Sequence, residues 1–177
     1  DKIKANKIMS ERSVFERKAL NYSGKALIPL QDELEMLHNY LKLEKHRFNE
    51  DFSYEVKVDP ALEDAMHLRM PPMLLQPFVE NAIIHGFKKN TQEGILTLSY
   101  RQEGEQLVCE VRDNGVGRQA AATQKAKGHT SKATEITHRR LQLIRERTRK
   151  PASLEIIDIT DQEGAATGTK VVIRLPI

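Results

Sequence analysis

The sequence predicts an α+β protein, and three observations carry that prediction. Residues 51–59, 95–100, 106–112, 154–159 and 169–175 read as short strands bounded by turn residues. Two helical segments precede the first of them. A third helix, at 72–87, carries an apolar stripe of Leu74, Leu75, Phe78, Val79, Ala82 and Ile83, which needs a sheet to bury it.

At 177 residues the chain fits one domain, or one domain plus an appendage. Its 39% hydrophobic and 30% charged residues describe a water-soluble protein with a modest core. The net charge of +3 is small, and basic residues interleave with acids throughout. No basic block with aromatic interleaving exists, there is no Trp, and aromatics are 5%, so nucleic-acid binding is not expected. The single Cys109 excludes an internal disulfide and a CxxC metal site; in its apolar run it reads as a small core residue. No run approaches the ~20 apolar residues of a membrane span, and no signal peptide is visible. A reducing cytoplasm is therefore expected. The chain starts at Asp1 within a helical pattern and without Met, and is read as a fragment of something longer.

Residues 1–23 form a helical but weakly patterned stretch, with Ile3, Ile8, Val14, Phe15 and Leu20 scattered among charges. Alone it would be marginal, so it should pair with something outside these residues. Ser23-Gly24 ends it. Pro29 opens the next helix, where Asp32 and Glu33 in the first turn complement the dipole. Leu34, Leu37, Tyr40, Leu41, Leu43 and Phe48 make its stripe. His38 and His46 on it read as solvated or capping histidines. Residues 51–59 alternate Phe52, Tyr54, Val56 and Val58 with polar neighbours, the pattern of a half-buried strand.

On helix 72–87, Asn81, His85 and Lys88 fall at i, i+4 and i+7, opposite the apolar stripe, with Glu80 beside them. A carboxylate, an amide, an imidazole and an amine, followed by Gly86, suit a metal-bound polyphosphate. Amide oxygen can ligate magnesium, and basic groups can meet phosphate oxygens. The competing explanation is a partly buried amphipathic helix with incidental polar residues.

A polar turn (89–94) leads to two strands, 95–100 and 106–112, joined by the hairpin Glu103-Gly104-Glu105. The second strand delivers Asp113-Asn114-Gly115-Val116-Gly117. A strand end fixes the carboxylate, and the glycines permit sharp turning and close approach of a flat ligand. A carboxylate accepts from an exocyclic amine such as that of adenine. An Asx turn, in which Asp and Asn bond their own backbone, explains the same residues without a ligand. Residues 119–134 suggest a lid-like loop. A basic helix at 135–149 buries Ile136, Leu141, Leu143 and Ile144, and strands 154–159 and 169–175 follow across a turn at 161–168.

The stretch Pro71-Pro72-Met73-Leu74-Leu75-Gln76-Pro77-Phe78-Val79-Glu80-Asn81-Ala82-Ile83-Ile84-His85-Gly86 resembles the N box of sensor histidine kinases of the LytS/YehU type. Residues 113–117 resemble their G1 box. Gly168-Thr169-Lys170-Val171-Val172-Ile173-Arg174-Leu175-Pro176 resembles their closing strand, and residues 28–48 the stretch that precedes their ATPase domain. The likeness covers nearly the whole chain. It implies a GHKL (histidine kinase-type) ATP-binding domain at 49–177, a two-layer α/β sandwich with a mixed sheet and helices on one face. It also implies that 1–48 is the remnant of a dimerisation and phosphoacceptor region.

By the family pattern Asn81 would ligate magnesium and Glu80 would be the catalytic acid that activates the attacking group. His85 and Lys88 would face the phosphates. Asp113 would bond the adenine amine, Gly115 and Gly117 would shape its pocket, and Gly168 and Thr169 would help close it. ATP and Mg2+ are the implied cofactors. The implied partners are a response regulator, plausibly of the LytTR type, and a second copy in a membrane-anchored homodimer at the cytoplasmic face of the bacterial inner membrane.

Two departures qualify this. The family's acceptor histidine lies in an Asn-Pro-His-Phe segment, and none of His38, His46, His67, His129 or His138 stands in such a context. The expected transfer is therefore to a histidine outside these residues, and this stretch alone should not autophosphorylate. In the lid, where the family resembles His-x-Ser-x-Gly, this chain has His129-Thr130-Ser131-Lys132-Ala133. Alanine at a glycine needing positive φ strains the backbone by ~1 kcal/mol or more. That motivates an alternative, a catalytically impaired domain serving interaction or dimerisation. A stand-alone ATPase outside signalling leaves the match at 30–48 unexplained.

Overall fold

The computed structural model describes residues 2–48, 51–87, 93–117 and 132–177. In chain order these form α1 (Lys2–Ser23), β1 (Ile28–Pro29), α2 (Leu30–Arg47), β2 (Phe52–Val58), a 3-10 turn (Pro60–Ala65) and β3 (Arg69–Met70). Then come α3 (Gln76–Asn81), which runs on as a π-helix (Ala82–Gly86), β4 (Gly94–Glu103), β5 (Gln106–Asp113), α4 (Lys132–Thr148), β6 (Ser153–Thr160) and β7 (Ala166–Pro176).

Five strands make one sheet in the order β2-β4-β5-β7-β6. Only the β2–β4 pair is parallel, because the chain between those strands crosses over through α3; β4–β5, β5–β7 and β6–β7 are antiparallel. The sheet is therefore mixed, as expected. Strand alternation puts Leu96, Leu98 and Tyr100, then Leu107, Cys109 and Val111, then Val171, Ile173 and Leu175 on one face. All are buried, and they meet Leu37 and Leu41 of α2, Phe78, Val79, Ala82 and Ile83 of the third helix, and Leu141 of α4. Each such side chain is worth roughly 1.5–3 kcal/mol of burial. The opposite face carries Arg101, Glu110, Lys170 and Arg174, with Glu110 between Arg101 (3.4 Å) and Lys170 (3.1 Å). Val108 and Val172 are buried on that side. Burial also pushes the Cys109 thiol up, as suits an inert core residue.

The first helix finds its partner inside the chain. Phe15 packs on Tyr40 with ring centroids 5.7 Å apart, Tyr22 donates to Asp32 at 3.0 Å, and Lys18 pairs with Glu35. His46 of α2 lies 4.0 Å from Glu11 of α1, and His38 meets Tyr54 edge-on. Met9, Val14 and Leu20 face outward.

Three other features differ from the sequence expectation. The small β1–β3 ribbon, pairing Ile28 with Met70, was invisible because its strands are two residues long. On α4 the buried stripe is Thr137, Leu141 and the half-buried Ile144, at i, i+4 and i+7, while Ile136 and Leu143 are exposed because they lie one position off it. The third helix begins at Gln76 rather than 72, since Met73 takes φ 54° and residues 72–75 form a turn instead. Among the described residues no helix is long and apolar enough to cross a membrane.

Candidate functional site

The site is built where the third helix ends against the loop after β5. The last turn of that helix widens into i→i+5 bonding, with Phe87 N–H donating to Ala82 C=O at 3.0 Å. Such π turns are rare and often mark functional positions. Phe87 then stacks on Phe52 at 5.9 Å and lies over Gly94, where a methyl group would come within 2.5 Å of its ring. The helix exit is thereby fixed against the start of β4.

Gly86 meets the Asp113–Gly117 loop backbone to backbone. Val116 N–H donates to Gly86 C=O at 3.1 Å, and a methyl group on Gly115 would stand 2.6 Å from Gly86 Cα. Only glycine at 115 allows that approach. The two sequence motifs therefore form one junction. Asp113 ends β5 on the inner face of the sheet, 8% exposed. Gly115 N–H donates to its carboxylate at 2.8 Å, and the Thr169 N–H also bonds it. Burial raises the Asp113 carboxyl above its ordinary value, and these two N–H groups pull it partly back. The Asx turn and the ligand reading are thus compatible: the turn uses one oxygen lone pair and holds the group in place.

Asn114 clamps the loop to β4, accepting from Ile95 N–H at 2.7 Å and donating to Glu93 C=O at 3.0 Å. Gly168 passes under the loop at φ 153°, where a methyl group would fall 2.0 Å from the Asp113 carbonyl oxygen. Gly117, at φ 75°, lies against Ala166. So Gly86, Asp113, Gly115, Gly117, Gly168 and Thr169 come together.

Glu80 is exposed, Asn81 half-buried and His85 exposed on the helix leading into this junction. Lys88, the fourth residue of that expected face, lies outside the described residues, as do His129, Thr130 and Ser131 of the lid. Burial first, and the Glu80 charge as a smaller contribution, raise Tyr40 and Glu44 on α2.

Sequence reasoning missed two groups at the other end of the helix. Glu33 of α2 is 1% exposed and accepts from Met73 N–H at 2.7 Å and Leu74 N–H at 3.0 Å. Arg140 of α4 donates to Pro72 C=O at 2.8 Å. A signal existed for Glu33: it shares the spacing of Leu30, Leu37 and Leu41, a carboxylate inside an apolar stripe. Arg140 gave none among so many surface cations.

The donor set suits a magnesium nucleotide. Magnesium usually takes one or two protein oxygens and completes its shell with phosphates and water, so one amide such as Asn81 is enough. Among the described residues no group of three or more His, Cys, Asp or Glu gathers into a metal site of another kind. A separate cavity of about 310 Å³ opens between Lys25, Leu27, Arg69, Arg140, Leu143 and Arg147, away from Asp113 and Asn81.

A mixed five-stranded sheet with α2, the third helix and α4 on one face, and a glycine junction at the end of the third helix, has the fold of the GHKL, histidine kinase-type sandwich. Comparison with known proteins agrees. The family model described as histidine kinase matches residues 1–52. The sensor protein LytS of Oceanobacillus iheyensis is 38% identical over 117 residues, which is 66% of this chain and 20% of that protein. The sensor histidine kinase BtsS of Escherichia coli K12 is 33% identical over 114 residues, 64% of this chain and 20% of that protein. The histidine kinase domain of the blue-light activated kinase EL346 from Erythrobacter litoralis superposes with a TM-score of 0.58 at 20% identity, covering 98% of this chain and 82% of that one. The catalytic domain of histidine kinase ThkA superposes at 0.55 and 10% identity, over 85% of this chain and 93% of that one. The structural matches speak for the fold. The chain spans about a fifth of the length of the curated relatives. Its resemblance to sensor histidine kinases of the LytS type is borne out in sequence and in fold.

Proposed function

We propose that this chain is the ATP-binding catalytic portion of a two-component sensor histidine kinase. The observation that carries the reading is the junction of Gly86, Gly115 and the buried, backbone-held Asp113 carboxylate. Asp113 accepts from the adenine amine; its shape is kept by Gly115 and Gly117, and Gly168 and Thr169 close the far side. Asn81 ligates Mg2+, and His85 and Lys88 meet phosphate oxygens. Bound Mg-ATP supplies the γ-phosphoryl group. Glu80 takes the proton-handling role at the attacking histidine. The reach of its charge to Tyr40 and Glu44 of α2 supports this, because an acceptor helix from outside these residues, packed on that segment, would approach from the same side. Positioning and charge stabilisation are most of what phosphoryl transfer requires.

The acceptor histidine lies outside these 177 residues, so the stretch alone does not autophosphorylate. Residues 1–48 belong to the dimerisation region and 49–177 form the catalytic domain. In the whole protein these act in a membrane-anchored homodimer that phosphorylates a response regulator of the LytTR type. A second reading, an impaired domain serving as an interaction module, draws on Ala133 where the family has glycine, although Ala133 lies in the first turn of α4 and is not among the positive-φ residues Met73 and Arg149.

Calorimetric titration with a non-hydrolysable ATP analogue and Mg2+ tests the first reading. Wild type should bind, and Asp113→Asn should bind at least about tenfold more weakly. Equal binding by both would move the nucleotide away from Asp113. Absence of binding by both, with gain of binding in Ala133→Gly, would favour the interaction module.

A further inference from the structure

We propose that Glu33 is a positioning residue for the nucleotide site: reaching across from α2, its carboxylate fixes where the N-box helix begins, and so where Glu80, Asn81 and His85 stand. This rests on the nucleotide reading above.

The third helix has little means of setting its own start. Its α-helical part is six residues long, and its N-cap position is Leu75, which offers no side-chain cap. The first N–H groups of a helix need acceptors, usually a Ser, Thr, Asp or Asn at that position. Here it is the N–H groups just ahead of the helix that are held, by an acceptor 40 residues earlier. Glu33 takes the Met73 and Leu74 N–H groups directly, and the Leu75 N–H also bonds it. Charge-assisted bonds of this kind are short and directional. They hold Met73 at φ 54°, a conformation that a non-glycine residue keeps only when its surroundings impose it. From the other side, Arg140 of α4 holds the Pro72 carbonyl. The turn at 72–75 is thus gripped at its N–H groups by an accepting carboxylate from α2 and at its Pro72 carbonyl by a donating guanidinium from α4.

The far end of the same helix is bonded to the adenine-side loop through Gly86 and Val116. With the exit fixed at Gly86, a shift of the entrance at Met73 tilts this short helix about that end and displaces Asn81. A merely stabilising cap would not need a buried charge. Burying a carboxylate is costly, and a cap side chain at residue 75 would reach only N–H groups inside the helix, not those of Met73 and Leu74 that Glu33 holds. Glu33 instead ties the nucleotide helix to α2, the helix on which α1 packs.

The test uses this chain at pH 8, with Glu33→Gln and Glu33→Asp. Each is titrated with the non-hydrolysable ATP analogue with and without Mg2+, beside thermal unfolding and circular dichroism. Folded Glu33→Gln should lose about tenfold or more of the Mg2+-dependent gain in affinity, while its Mg2+-independent affinity changes less than about twofold. Glu33→Asp, which keeps the charge on a shorter arm, should fall between. If Glu33→Gln does not fold, Glu33→Asp is judged by the same split. An unchanged Mg2+-dependent gain in a folded variant, or an equal loss with and without Mg2+, overturns the proposal and leaves Glu33 a structural residue. Wild type that binds no nucleotide under either condition overturns the nucleotide reading itself, and this inference falls with it.

Discussion

The two ends of the N-box helix are held in opposite ways. Its entrance is held by long side chains from distant elements, Glu33 and Arg140, acting on the backbone of residues 72–74. Its exit is held by backbone against backbone, with Gly86 against Gly115 and Gly168 under Asp113. The entrance can move as far as α2 and α4 allow, whereas the exit tolerates almost no displacement. A helix anchored rigidly at one end and through charged arms at the other is suited to feel the helical segment without losing its ligand pocket.

The exit should therefore break hardest. Gly168→Ala would place a methyl group 2.0 Å from the Asp113 carbonyl oxygen at φ 153°, so the backbone must shift. Urea unfolding should show a loss of about 4 kcal/mol, with Gly115→Ala close behind. A loss under about 1 kcal/mol in both would mean the junction is slack.

The entrance should instead be sensitive to pH. Burial pushes the Glu33 carboxyl up from 4.5 to about 7, against the pull of the Met73 and Leu74 N–H groups, Arg140 and the Leu75 N–H. Between those values the folded protein holds a proton that the unfolded chain has released. This contribution to stability is complete below about pH 4.5 and is lost as pH rises through about 7. It amounts to about 3 kcal/mol. Asp113 and Glu44 are also raised by burial and act in the same direction, so the comparison is with Glu33→Gln. Denaturation at pH 5 and pH 8 should give a smaller difference for the variant than for wild type, and equal differences would show that Glu33 titrates normally.

Ligand binding sharpens the contrast at a smaller scale. Asp113→Asn should cost about 1.4 kcal/mol or more of nucleotide affinity, the tenfold read by calorimetry, with stability little changed because Asn can still accept from Gly115 N–H. Smallest of all, Glu110→Gln on the opposite face removes partners of Arg101 and Lys170 and should cost about 1 kcal/mol or less in unfolding, with nucleotide affinity unaltered.

The difference between the ends also explains what the sequence disclosed. The exit was legible because its demands fall on residue types with few substitutes: Gly86, Asp113, Gly115, Gly117 and Gly168 stand in short local patterns. The strands were legible from their alternation, and Cys109 from its apolar run. The entrance was not, because it joins Glu33 to Met73 across 40 residues, and a glutamate in a helix's first turn has an ordinary explanation in the dipole. The helix starts at 76 rather than 72 because Met73 takes φ 54°, in the turn whose Met73 and Leu74 N–H groups the same carboxylate accepts. The π turn after Ala82 was hidden for a related reason: apolar spacing at 78, 79, 82 and 83 suits α and π geometry alike until Phe87 is placed on Phe52 and Gly94.

Amide hydrogen exchange of this chain, with and without the Mg2+ complex of a non-hydrolysable ATP analogue, tests the central claim most directly. The Val116 N–H, bonded to Gly86, and the Gly115 N–H, bonded to Asp113, should exchange more slowly with nucleotide, together with the amides of the helix at 76–86. The β6 amides should be unchanged. Protection confined to the lining of the cavity between Lys25 and Arg147, with the amides at 113–117 unaffected, would contradict the account and place the ligand at the other end of the molecule.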